Sequence, residues 1–218
     1  MIQFDNVTKV YHARGGSKHV LDGQTFTLER GASIGIVGVN GAGKSTLTRL
    51  IAGVEHPTSG RITRSMSVSW PLGFGGAFQG SLTGSDNTRF IARIYRRDVR
   101  QILDYVEDFA QLGHYLDMPV KTYSSGMRAR LAFAVSLAIE FDCYLVDEVT
   151  AVGDSSFRER CQAALSERRE RGTLIMVSHD PHTLRAYCET GAILRNGQLT
   201  FFGSIDETIA AYDALFVH

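Results

Sequence analysis

The sequence predicts an α/β fold from three observations: short apolar runs that end in polar or Gly-rich clusters, helical periodicity between those runs, and alternating apolar segments near the amino terminus. The runs at 33–37, 143–146 and 174–177 are apolar apart from Ser33, as expected of parallel strands buried on both faces. Ligands of such sheets sit beyond the carboxyl ends of the strands. Ile2, Phe4 and Val7, then Phe26 and Leu28, alternate with period two and read as antiparallel strands. The run at 33–37 passes straight into a Gly-rich turn and then a helical pattern at 45–52, a strand, loop and helix unit.

Residues 73–135 have another character. They begin in a Gly-rich stretch and continue with helical periodicity in Phe90 and Ile94, and again in Ile102, Leu103 and Val106. They read as a helical subdomain inserted into an α/β core formed by 1–72 and 136–218, the whole being one domain over 1–218. The tail alternates in Ala192 and Leu194, then in Leu199 and Phe201, across Asn196-Gly197, a strong hairpin signal, and a helix follows from Ile205.

Composition narrows the function classes. Over 218 residues, 44% hydrophobic and 21% charged residues with 4 Pro describe a folded globule. The 23 Lys and Arg balance the 23 Asp and Glu, so no whole-molecule field draws the chain to nucleic acid or acidic lipid. Cys143, Cys161 and Cys188 are odd in number, with no CxxC pair, which supports neither a disulfide framework nor a zinc site and fits a reducing compartment. Asp5 and Lys9 interrupt the opening where a signal peptide needs an apolar stretch. The most apolar window, 129–146, is broken by Arg130, Glu140 and Asp142, so a membrane role is expected to be by docking.

Gly38-Val39-Asn40-Gly41-Ala42-Gly43-Lys44-Ser45, with Thr46 next in the helix, satisfies the Walker A pattern in its required context, after a buried strand and opening a helix. Backbone N–H groups of such a loop wrap a triphosphate, Lys44 would neutralise the β and γ phosphates, and Ser45 would ligate Mg2+. Tyr144-Leu145-Val146-Asp147-Glu148 is an apolar strand ending in two carboxylates, the Walker B arrangement. Asp147 would hold Mg2+ through water and Glu148 would polarise the attacking water as general base. Alone, such a strand end is as readily mere solvation; beside Walker A it becomes a phosphate-hydrolysis site.

Tyr123-Ser124-Ser125-Gly126-Met127 before an apolar helix, Val177-Ser178-His179-Asp180 after the last core strand, and Ala151-Val152-Gly153-Asp154 after Walker B resemble the signature, switch histidine and D-loop of the ATP-binding cassette family, in order and spacing, over essentially the whole chain. The resemblance implies a P-loop NTPase (RecA-like) core with an N-terminal antiparallel β subdomain and an inserted helical subdomain. It implies ATP and Mg2+ as cofactors and a homodimer in which Ser124, Ser125 and Gly126 reach the ATP held by the second copy. His179 would contact the γ-phosphate and its water, Asp154 would cross the dimer interface, and Tyr11 matches the aromatic residue that stacks on adenine. Gln79 is assigned as the Q-loop glutamine and a magnesium ligand, although it stands only three residues before Leu82-Thr83, closer than in the family. Blander roles exist for three of these: Ser124 as a helix N-cap, His179 as a loop histidine, Tyr11 as a strand aromatic over the core.

The departures point to a branch. Tyr-Ser-Ser-Gly-Met replaces the usual Leu-Ser-Gly-Gly-Gln, and Val149 stands where proline is usual. This combination resembles the polysaccharide exporters of capsule, O-antigen and teichoic acid, and a chain that stops soon after the cassette is most similar to the capsular type. The expected partner is a membrane-spanning permease at the cytoplasmic face of the inner membrane, where the chain would be peripheral; polysaccharide would be met only indirectly, and nucleic acid not at all. About 80 residues separate Lys44 from Ser124, too few for the coiled coil of the soluble repair cassettes, and translation cassettes usually hold two sets of motifs. One feature remains outside these motifs: Arg89, Arg93, Arg96 and Arg100, with Arg97 beside them, are spaced for one helical face, either solvated or a contact for lipid head groups or the permease.

Overall fold

The computed structural model describes residues 1–13, 16–73, 76, 78–147 and 154–216. In chain order its elements are β1 (Ile2–Ala13), β2 (Gly16–Leu28), β3 (Ser33–Val37), α1 (Lys44–Ala52), β4 (Ser59–Arg64), β5 (Val68–Pro71), α2 (Gly84–Ile94), α3 (Val99–Ala110), α4 (Ser125–Ala138), β6 (Cys143–Asp147), α5 (Ser155–Arg171), β7 (Thr173–Val177), α6 (Pro181–Tyr187), β8 (Thr190–Arg195), β9 (Gln198–Phe202) and α7 (Ile205–Asp213). Two compact units result. One holds Met1–Pro71, Phe141–Glu148 and Arg168–His218; the other holds Leu72–Glu140 and Val149–Glu167.

The first unit is built on two sheets. β2, β1 and β4 form an antiparallel sheet in that order, and the six-stranded sheet runs β5-β6-β7-β3-β8-β9. β3 and β7 are buried at every residue, and β6 at all but its last, which is why their sequences carry no alternation. All neighbours in this sheet are parallel except β8 and β9, which pair antiparallel from Arg195↔Gln198. The two residues between them, Asn196 at φ 50° and Gly197 at φ 80°, have the left-handed geometry of a type I′ turn. Ile2, Phe4, Leu28, Ile36, Leu50, Leu145 and Val177 share one core, with the Phe4 and Phe26 rings stacked 4.3 Å apart.

The second unit is largely helical, and the starts of α2, α3 and α4 each carry a side-chain cap. Thr83 Oγ1 accepts the Asp86 N–H at 2.9 Å, Asp98 Oδ1 accepts from Gln101 at 2.8 Å, and Ser124 Oγ accepts from Met127 at 3.2 Å. Phe157, fully buried, sets its ring edge-on to Phe109 at 5.6 Å and to Phe133 at 6.4 Å between centroids. The Arg130 and Arg160 guanidinium groups lie 5.1 and 5.6 Å from its centre. Among the described residues no helix is long and apolar enough to cross a membrane. The three cysteines are free and buried, and burial pushes each thiol up to about 12.

One sequence expectation is corrected. The arginines do not share a helical face: α2 ends at Ile94, Arg96 takes the left-handed φ of 52°, and Asp98 starts a separate helix that carries Arg100. Phe90 and Ile94 do mark a helix, but not its core face. Each is 58% exposed, whereas Asn87, Thr88, Ile91 and Ala92 point inward.

Phe157→Ala removes the ring shared by three helices of the second unit, and is expected to cost about 3–5 kcal/mol. The melting temperature should fall by at least about 6 °C in a thermal scan.

Candidate functional site

Parallel pairing decides what meets at the edge of the six-stranded sheet. Val177 at the end of β7 is the register partner of Ile36 in β3 on one side and of Asp147 in β6 on the other. The loop leaving β3, the carboxylate ending β6 and the Ser178-His179 loop after β7 are therefore neighbours, at the strand ends where α/β sheets hold ligands. The β7 loop is stiffened by Asp180, which caps α6 by accepting from the His182 and Thr183 N–H groups at 3.2 and 3.0 Å.

After β3 the chain closes a turn, with the Ala42 N–H on the Val39 carbonyl at 3.0 Å, and enters α1 through Gly43. Gly43 has a φ of 108°, and a Cβ there would come within 2.2 Å of Val20 Cγ1, so neither the torsion nor the space admits another residue. Gly43 brings no capping side chain, so the first N–H groups of α1 take no side-chain oxygen at this position. The Lys44 ammonium lies back over the loop, donating to the Gly38 carbonyl at 2.6 Å and the Val39 carbonyl at 3.2 Å.

These residues line a cleft of about 350 Å³. Asn40, Gly41, Gly43, Lys44, Ser45 and Thr46 form one side; Tyr11, Lys18 and Val20 come from the antiparallel sheet, and Asp147 from the end of β6. The volume lies within the range of small-ligand sites. A lysine ammonium, uncapped helix N–H groups, a hydroxyl and a carboxylate together suit a polyphosphate with a divalent cation: the N–H and ammonium groups meet the anion, and the Ser45 and Asp147 oxygens are hard donors of the kind Mg2+ takes.

Lys18 and Val20 were not visible as site residues in the sequence. Lys18 is the register partner of Tyr11, and its ammonium donates to the Gly41 carbonyl at 2.6 Å. Only sheet pairing brings it to the loop, and no local pattern announces it.

Tyr11, 38% exposed, is held by its hydroxyl. The hydroxyl donates to Glu55 Oε1, accepts from Arg49 Nη2 at 3.4 Å and lies 3.4 Å from Thr46 Oγ1. Glu55 is shared further: Lys9 Nζ approaches Oε1 at 2.8 Å, and Arg49 Nε donates to Oε2 at 2.9 Å. The Lys9 ammonium also sits 5.0 Å from the centre of the Tyr11 ring. Burial raises the Glu55 carboxyl, but the bonds from Lys9, Tyr11 and Arg49 outweigh it and bring it from 4.5 down to about 2.

Other sequence-assigned residues fall in the second unit. Ser124 caps α4, with Ser125 and Gly126 as its first two residues. Gln79 is exposed, and its backbone N–H and carbonyl both pair with the Asn87 side chain, at 2.9 and 3.1 Å. Asp154 accepts the Phe157 N–H at 2.9 Å at the start of α5 and pairs with Arg130. Glu148, together with Val149 and residues 150–153, lies outside the described residues.

The ABC transporter family model matches residues 21–151. The chain belongs to the ABC transporter family. This cassette is 54% identical over 213 residues to the ATP-binding protein BexA of Haemophilus influenzae, covering 98% of each chain. It is 53% identical over 215 residues to the capsule polysaccharide export ATP-binding protein CtrD of Neisseria meningitidis serogroup B, covering 99% of the cassette and all of CtrD. Its fold is that of a solved ATP-binding cassette, MJ0796, described as a dimer in a post-hydrolysis state with ADP and Pi. The TM-score is 0.80 at 22% identity, over 93% of this chain and 98% of that one. The P-loop core, antiparallel sheet and helical unit are thus those of an ABC ATPase.

Because the Glu55 carboxyl is depressed, the stability it contributes is complete above about pH 4.5 and is lost as the pH falls through about 2. In urea titrations Glu55→Gln should unfold earlier than wild type near neutral pH, and the two midpoints should converge across that acid window.

Proposed function

We propose that this chain is the ATP-hydrolysing subunit that energises export of capsular polysaccharide through a separate membrane permease. It would work as a homodimer at the cytoplasmic face of the inner membrane, with the polymer never in contact with it. The hydrolase reading rests on one observation: Lys44, Ser45, Asp147 and Tyr11 line a single cleft at the entrance to α1. The polysaccharide reading is supported by the full-length similarity to CtrD.

In this reading the loop N–H groups and Lys44 hold the β and γ phosphates, and Tyr11 stacks on adenine. Ser45 and Asp147 are the residues of the cleft that would hold Mg2+, which would neutralise charge developing on the phosphoryl oxygens; Gln79 is assigned as a further ligand. Glu148 takes the proton of the attacking water, and His179 orients that water against the γ-phosphate. Ser124, Ser125 and Gly126 contact the ATP of the second copy, and Asp154 crosses between copies. Gly126 supports this: among the described residues outside its chain neighbours and its own helix backbone, a Cβ there would meet nothing nearer than Ser124 Oγ at 3.9 Å, so packing against them does not itself demand a glycine.

Lys44→Ala should lose ATP affinity, since the ammonium meets phosphate already in the ground state. Glu148→Gln should bind ATP normally and lose at least about a hundredfold in turnover, as general-base removal does. Sedimentation of Glu148→Gln with saturating ATP should give a dimer, and a monomer under those conditions would refute the shared site. The transport reading is tested in a capsulated strain deleted for its own export ATPase. Wild type should restore surface polysaccharide and Lys44→Ala should not; no restoration by wild type would point to another cargo.

A further inference from the structure

We infer that Glu55 is a positioning residue for the nucleotide base, acting through Tyr11. The inference rests on the ATPase reading of the cleft and deepens it by naming what sets the base-binding ring. A tyrosine near the end of a strand, as Tyr11 is in β1, is free to turn about its side-chain torsions, and a ring that turns loses its stacking face. Here the hydroxyl is tied on several sides: it donates to Glu55 Oε1, accepts from Arg49, and lies against Thr46, the second residue of the α1 turn that follows Lys44. Glu55 is in turn oriented by Lys9 and by Arg49, so the carboxylate that accepts the phenol hydrogen bond is itself immobilised. With their side chains only 13% and 19% exposed, Lys9 and Glu55 form a largely desolvated pair and not a loose surface bridge. Lys9 also lies over the Tyr11 ring, which leaves the opposite face for a purine.

The arrangement couples two subsites. Arg49 and Thr46 stand on the helix whose N-terminus faces the phosphates, and both touch the tyrosine that would face the base. The distance between base and phosphate contacts is therefore set by this polar cluster, which makes Glu55 a determinant of nucleotide affinity without being a contact of the nucleotide.

The test separates base from phosphate. Equilibrium binding of ATP and of inorganic tripolyphosphate is measured on wild type, Glu55→Gln, Tyr11→Phe and the double variant, with melting curves as a folding control. Glu55→Gln keeps the shape and removes the charge, and Tyr11→Phe keeps the ring and removes the hydroxyl, so both should fold. Each single variant should weaken ATP by about fivefold to tenfold, the scale of one net hydrogen bond, while tripolyphosphate changes less than about twofold. The double variant should be no weaker than the worse single one, because both act on the same Tyr11–Glu55 contact. In turnover assays the loss should appear in KM and not in kcat. Equal weakening of ATP and tripolyphosphate in Glu55→Gln would overturn the inference, since a residue that merely props α1 would disturb both. Unchanged ATP affinity in a well-folded Glu55→Gln would overturn it too. If wild type bound tripolyphosphate and ATP equally weakly, the ATPase reading itself would fall, an outcome distinct from either of these.

Discussion

Everything at the site hangs on the parallel register of β3, β7 and β6. Val177 faces Ile36 and Asp147 across its two edges, so a slip of β7 by one residue would exchange its faces and carry the Ser178-His179 loop away from both motifs. What holds the register is burial. The three strands are closed to solvent on both faces except at Asp147, the last residue of β6, and Ile36, Leu145, Ile175 and Val177 lie in one core with Leu47 and Leu50 of α1. The helix that would offer its N-terminus to phosphate is thus clamped by the same apolar contacts that align the strands beneath it, and site geometry and fold stability share one cause.

A second constraint ties the antiparallel sheet to this core. Val20 fills the space where Gly43 lacks a Cβ, Lys18 bonds the Gly41 carbonyl, and Gln24 exchanges hydrogen bonds with Gln198 and with the Leu199 N–H of β9. Tyr11, on the strand between β2 and β4, is therefore carried on a sheet that is itself pinned to the phosphate loop. An aromatic placed this way has little freedom left except rotation of its own ring, the freedom that the Glu55 cluster removes.

Much of this was legible in the sequence, and the physical reason is the same wherever it was. The core strands could be read to within a residue because burial on both faces suppresses alternation, and the hairpin because Asn196-Gly197 is one of few pairs at ease with two left-handed torsions. The phosphate loop was legible because its chemistry is contiguous. Lys9, Lys18, Arg49 and Glu55 were not, since each is an ordinary charged residue whose meaning comes from a partner distant in sequence. The arginine series failed for a different reason: a helical spacing persists on paper through a break, and an arginine at φ 52° carries no local signal as a glycine would. Phe90 and Ile94 share the spacing of a buried face, and only packing shows that Ile91 and Ala92 are the residues turned inward. Nor does any pattern in α5 say that Phe157 packs with Phe109 and Phe133.

The two helix starts that carry motif residues solve the same electrostatic problem in different ways. α1 opens on Gly43, which has no side chain to offer, and its leading N–H groups are left for an anion, with Lys44 beside them. α4 opens on Ser124, whose oxygen is already engaged by the Met127 N–H. Accepting that bond uses a lone pair and leaves the hydroxyl proton available, so Ser124 retains one donor that can turn outward. In the proposed dimer the cap that stabilises α4 would therefore not compete with phosphate recognition. It would fix the rotamer from which that donor is presented, and the missing Cβ of Gly126, whose nearest described contact outside its chain neighbours and helix backbone would be Ser124 Oγ at 3.9 Å, would leave room for an oxygen to approach the same turn.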